Sequence, residues 1–179
     1  VSRDAKKIND TDEVFSADLS IREKAIEAVK GSEIAYFTLG LPISSELWEN
    51  QFPLILQNVI DACKINGTKL VFFDNTYMYP QDGRILTEET IFKPVGRKGQ
   101  VRRRMAEMVL KEIRSGELNA VICRAPEFYG PGKTQSITNA LIFNNIKEGK
   151  RLRLPLSDSK KRSLIWTPDA SRATALIGN

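Results

Sequence analysis

Apolar positions along this chain switch between helical and strand spacing regularly enough to give an order of elements. In residues 17–31, Ile21, Ala25, Ala28 and Val29 recur at helical spacing up to Gly31, and Ser20 with Glu23 has the form of a capping box. Residues 33–40 (EIAYFTLG) form a β-rich apolar run closed by glycine, which predicts a strand buried on both faces of a parallel sheet. A helix is predicted from the Ser44/Ser45 region to Asn66, with Leu54, Ile55, Val59, Ala62 and Cys63 as its inner stripe. Pro53 is expected to break or restart it, and Asn66-Gly67 to end it. Leu70–Asp74 reads as a second strand. Residues 75–94 have no steady period and carry prolines, a glycine and charges, as a functional loop does.

The alternation continues. Val101, Met105, Met108 and Val109 mark one face of a helix over Gly99–Ser115, stopped by Gly116. Asn119–Arg124 reads as a third strand, Ala125–Gly132 as a turn-rich connection, and Ser136–Lys147 as a helix. Two short extended segments, Leu152–Leu156 and Ser163–Trp166, flank a charged turn. Thr167-Pro168-Asp169 then starts a last helix, with threonine as cap and proline at the first position. Strand and helix in repeated succession predict an α/β fold with a doubly wound parallel sheet, whose ligands bind at the carboxyl ends of the strands.

Composition narrows the chemistry. The 179 residues, 41% hydrophobic and 27% charged, suffice for one sizeable core. There is no histidine, which excludes Ser-His-Asp and Cys-His nucleophilic catalysis and removes the commonest transition-metal ligand; no metal is expected. Proton transfer then falls to Tyr, Lys, Asp, Glu or water. The two cysteines, Cys63 and Cys123, sit among apolar neighbours as small core residues. The longest apolar stretches are too short to cross a bilayer, so a soluble, cytoplasmic protein without a membrane partner is expected.

A net charge of +5 suits an anionic ligand, a phosphorylated cofactor or nucleic acid. The run from Arg97 to Arg104 invites the last. On a helix, however, Arg102, Arg103 and Arg104 spread over about 200° at about 100° per residue, and no aromatic residues are interleaved, so no nucleic-acid partner is expected.

The three strand ends, Thr38-Leu39-Gly40, Asp74-Asn75-Thr76 and Ala125–Gly132, are polar or glycine-rich where the strands are apolar, the layout of a nucleotide site. Residues 70–80 (LVFFDNTYMYP), 123–132 (CRAPEFYGPG) and 163–176 (SLIWTPDASRATAL) resemble the extended short-chain dehydrogenase/reductase family, the NAD-dependent epimerases and dehydratases. The resemblance implies a Rossmann-like domain over residues 1–132 that lacks the family's first strand and glycine-rich loop, both of which would precede Val1. Residues 133–179 would carry substrate-side segments and the return to the core. It implies an NAD(P)-dependent oxidoreductase or nucleotide-sugar epimerase/dehydratase acting on a small carbonyl or hydroxyl substrate, a sugar nucleotide among the candidates.

By the same resemblance Arg3 stands where a basic residue often meets the 2′-phosphate of NADP, which tips the cofactor toward NADP over NAD. A solvated terminal arginine explains it equally. Asp18 and Leu19 would flank the adenine, with a purely local turn as the rival account of Asp18. Thr38, Leu39, Gly40, Asn75, Pro126 and Phe128 would line the cofactor. The family's Tyr-x-x-x-Lys reads here as Lys98-Gly-Gln-Val-Arg102. Arg102 would hold the ribose, and Thr76, Lys98 and Tyr79 would manage the proton, although Tyr77 and Tyr79 serve as readily as a substrate wall. Loss of the tyrosine keeps a non-catalytic NAD(P)-binding regulatory or redox-sensing module as the alternative. The helices from Leu54 and from Val101 are where the family commonly pairs, so a homodimer is a further expectation.

Overall fold

The computed structural model describes residues 1–132, 136–152, 157 and 161–179. Three parallel strands, β1 (Ile34–Phe37), β2 (Lys69–Asp74) and β3 (Ala120–Arg124), lie in the order β1-β2-β3. Helix α1 (Arg22–Val29) precedes β1, while α2 (Ser45–Asn66) and α3 (Gly96–Arg114) form the crossovers. This is the α/β arrangement with a parallel sheet that the alternating pattern predicts.

Strand parity decides what faces what. Phe37, Leu70 and Phe72 point to one side, where they pack with Ala25 and Val29 of α1, the apolar stripe of α2, and Val101, Met105 and Val109 of α3. At ~1.5–3 kcal/mol per fully buried large side chain, this cluster is the main source of stability. The opposite side carries α5 (Thr167–Gly178), with Ala170, Thr174 and Gly178 buried and the Lys69 ammonium donating to the Gly178 carbonyl at 2.5 Å. Burial of β1 on both faces is not found. Tyr36 is 41% exposed: among the described residues β1 lies at one end of the sheet, and on this face Tyr36 meets Gly178 at the end of α5.

Several local expectations give way to packing. Pro53 neither breaks nor restarts α2, which runs unbroken to Asn66 and ends at Gly67 in the left-handed region (φ 66°). An interior proline costs a helix ~3 kcal/mol. Burial of Phe52, Ile55, Leu56 and Val59 around it outweighs that cost. Ser20 is not the cap of α1: that position is Ile21, and Ser20 donates both its backbone N–H (2.9 Å) and its hydroxyl (2.7 Å) to the Asp18 carboxylate. Thr167 is the first residue of α5 rather than its cap. Its hydroxyl donates to the Tyr129 carbonyl at 3.0 Å.

Helix α3 begins about a turn before Gly99. A side-chain Cβ at Gly99 would stand 2.9 Å from the Tyr77 carbonyl and 3.0 Å from Pro94, so glycine lets the loop close on the helix. Residues 75–95 contain neither helix nor strand. Within the predicted turn, Glu127–Tyr129 forms a short strand, β4, pairing in parallel with β5 (Leu164–Trp166). Its partner is too distant in sequence for local spacing to reveal. The helix after it includes a π-helical segment, Asn139–Phe143, before α4 (Asn144–Lys147). The predicted segment Leu152–Leu156 lies outside the described residues apart from Leu152. No helix among the described residues is long and apolar enough to cross a membrane.

Candidate functional site

The carboxyl ends of β1, β2 and β3 lie side by side and open toward the first turns of α2 and α3. Thr38-Leu39-Gly40 leaves β1 as a rim, with Thr38 and Gly40 exposed and no atom within 4 Å of where a Cβ on Gly40 would stand. At the end of β2 the Asp74 carboxylate is wholly buried, and it accepts the Asn75 N–H at 2.9 Å. Asn75 Oδ1 accepts the Tyr77 N–H at 2.9 Å, and the Thr76 carbonyl accepts the Tyr79 N–H at 3.2 Å, so a tight turn follows the strand at once. The Thr76 hydroxyl has no hydrogen-bond partner among the described residues.

Two guanidiniums converge on Asp74. Arg102 Nη1 lies 3.6 Å from Oδ1 and Arg124 Nε lies 3.8 Å from Oδ2. Both distances exceed direct hydrogen-bond length. Asp74 Oδ2, Arg102 Nε, and Nε and Nη2 of Arg124 are buried without a hydrogen-bond partner. Burial therefore outweighs the two cations and pushes the Asp74 carboxyl up to about 6. Arg102 sits 4.4 Å from the Phe52 ring centroid and 5.1 Å from that of Trp48. Lys98 Nζ stands 5.2 Å over the same Trp48, and the Tyr77 ring is stacked on it at 6.4 Å. At the end of β3, Arg124 lies over Tyr79 and Phe92 and donates Nη1 to the Tyr79 hydroxyl at 2.9 Å.

Of the predicted residues, the structure brings together Asn75, Thr76, Lys98 and Arg102, with Tyr79 behind them, buried at 4% exposure. The charge of Arg102 is directed at Asp74. Pro126 and Phe128 follow β3, where Phe128 packs on Phe73 at 5.7 Å. Arg3, Asp18 and Leu19 form a separate group. Ser2 bridges Ser16, Arg3 is near enough to help lower the Asp18 carboxyl, and the two Ser20 hydrogen bonds lower it more. The Asp18 carboxylate thus serves the turn before α1, while the Leu19 carbonyl accepts from the buried Asn58 amide at 2.9 Å.

Asp74, Arg124, Trp48 and Phe52 were not singled out in the sequence as site residues. Asp74 and Arg124 each end an apolar strand with a charge, but only the β2–β3 register makes them partners. A dinucleotide is compatible with these residues: the rim at Thr38–Gly40 is open, and Arg102 and Arg124 carry buried N–H groups that lack acceptors. No group of three or more His, Cys, Asp or Glu among the described residues could hold a metal ion.

Solved structures share this fold at low identity. A UDP-N-acetylglucosamine 4-epimerase from Bacillus cereus superposes with a TM-score of 0.79 at 17% identity, over 90% of this chain and 57% of that one. A dTDP-glucose 4,6-dehydratase double mutant from Streptomyces venezuelae, with NAD bound, gives 0.76 at 17% identity over 90% and 52%. A UDP-glucose 4-epimerase from Thermus thermophilus in complex with NAD gives 0.73 at 18% identity over 92% and 59%. This chain thus spans little more than half the length of each, and at such identities the likeness establishes the fold, a Rossmann-type α/β sheet. A comparison with curated protein sequences finds no match. The sequence profile of the NAD dependent epimerase/dehydratase family matches residues 42–179, well over half the chain. The chain therefore belongs to the NAD-dependent epimerase/dehydratase family.

Proposed function

We propose that this chain is part of an NAD(P)-dependent oxidoreductase of the epimerase/dehydratase type, acting at a hydroxyl or carbonyl carbon of a small molecule, with sugar nucleotides as the substrate class. The observation that carries the proposal is that the open Thr38–Gly40 rim and the Asn75-Thr76 turn follow the paired strands β1 and β2, with the cations Lys98 and Arg102 at the start of α3. The dinucleotide, when bound, supplies the hydride acceptor or donor. Thr38, Leu39, Gly40, Asn75 and Arg102 would hold it, with Pro126 and Phe128 at the far side and Arg3 favouring a 2′-phosphate. The free Thr76 hydroxyl orients a substrate oxygen. Lys98, standing where the family has its tyrosine, donates a proton to that oxygen as negative charge develops on it.

A second reading has its own support. Lys98 and Arg102 both rest on Trp48, and Arg102 is also held by Asp74, so both cations are braced by the protein itself. A cleft that binds NAD(P) without turnover, as a regulatory or redox-sensing module, is consistent with this bracing. The two readings separate in one experiment. The full-length protein is titrated with NADPH and NADH by nicotinamide fluorescence, then assayed with UDP-hexoses for turnover. The enzyme reading expects tighter NADPH binding, turnover, and a loss of at least about a hundredfold in Lys98→Met with cofactor affinity retained. Binding without turnover by the unaltered protein supports the module, and binding of neither nucleotide removes both readings.

A further inference from the structure

Asp74 ends β2, and in the parallel register its partner on β3 is Arg124, so both side chains leave the sheet on the face that carries α2 and α3. From that side Arg102 of α3 reaches the same carboxylate. Among the described residues no other carboxylate pairs with either guanidinium, so one anion serves two cations, Arg102 buried and Arg124 partly buried. Each cation in turn seats a pair of aromatic rings. Arg102 lies on Phe52 and Trp48 of α2, at 4.4 and 5.1 Å. Arg124 lies on Phe92 and Tyr79 of the loop, at 5.1 and 5.4 Å, and donates to the Tyr79 hydroxyl.

We infer that Asp74 is the positioning residue of this cleft: its carboxylate sets where the guanidiniums of Arg102 and Arg124 sit, and through them the two aromatic walls on either side of the strand ends. The inference rests on the proposed cofactor reading only for what the cleft binds. A packing contact alone would leave the walls in place whatever the charge at Asp74. A shared counter-ion would not, because protonating it leaves two guanidiniums close together with no anion between them. The groups facing the carboxylate are Arg102 from α3, Arg124 from β3 and the Asn75 N–H. Lys98, Tyr77 and Tyr79 lie one residue further out.

Trp48 reports the position of Arg102. The chain has two tryptophans, so Trp166→Phe leaves Trp48 alone. Emission and acrylamide quenching of Trp48 are followed from about pH 4.5 to about pH 8, with far-UV circular dichroism as the check on folding. One transition centred near pH 6 is expected. It should vanish in Asp74→Asn, whose emission at neutral pH should match the parent's at low pH, and return in Asp74→Glu. A flat profile in the folded parent, or the same transition in Asp74→Asn, overturns the inference. If Asp74→Asn does not fold, Arg102→Lys serves instead: the transition should move, and an unmoved midpoint overturns the inference.

Cofactor titration of the full-length protein is a separate arm. Asp74→Asn should weaken NAD(P)H by about tenfold, which is about 1.4 kcal/mol. If the unaltered protein binds neither nucleotide, the cofactor reading fails while the Trp48 result still decides the role of Asp74.

Discussion

Asp74 makes stability depend on pH in a direction opposite to that of an ordinary paired carboxylate. In the folded chain its carboxyl is pushed from 3.8 up to about 6, because the group is buried and, among the described residues, its only hydrogen bond is from the Asn75 N–H. The folded state therefore holds the proton more tightly than the unfolded chain does. The stability this provides is fully present below the unfolded value and is lost as pH rises through about 6. About two units at about 1.4 kcal/mol each come to about 3 kcal/mol, most of it lost between about pH 4 and about pH 7. Asp74→Asn removes the titration and keeps the shape. Its stability at any one pH also reflects two guanidiniums left without a counter-ion, so the informative quantity is the difference from the parent across pH. Urea unfolding of both proteins from about pH 4.5 to about pH 7.5 should show the parent losing roughly 2 kcal/mol relative to Asp74→Asn. Parallel curves, or a parent that gains relative to the variant as pH rises, would refute the claim that desolvation outweighs Arg102 and Arg124 at this carboxylate.

Gly99→Ala distinguishes helix propensity from the contact with the loop. In an open helix the change stabilises by ~1 kcal/mol, but a Cβ here meets the Tyr77 carbonyl at 2.9 Å, so a loss of ~1–3 kcal/mol is expected in urea unfolding. Phe52→Ala should cost ~3–5 kcal/mol, since the ring is fully buried, and should also shift Trp48 emission because it removes the ring nearest Arg102. Glu49→Gln should change stability by less than about 1 kcal/mol, because its Arg97 partner is largely exposed; a larger thermal shift would show that the pair braces the start of α3.

Much of this protein is determined by order along the chain. Alternation between strand and helix spacing dictates an α/β fold, since apolar strands of four to six residues joined by amphipathic helices can bury both only in a parallel layered sheet. The polar residues at the strand ends, Thr38, Asn75 and Thr76, were visible for the same reason: each breaks an apolar run where the chain leaves the core. What local pattern cannot carry is a partner far away in sequence. The pairing of β4 with β5, the unbroken course of α2 through Pro53 and the hydroxyl of Thr167 turned to Tyr129 all depend on distant residues. Asp74 and Arg124 are the clearest case. In sequence each is a charge at the end of a strand, and only the parallel register together with the reach of Arg102 from α3 makes them one buried cluster, where loss of water decides the charge.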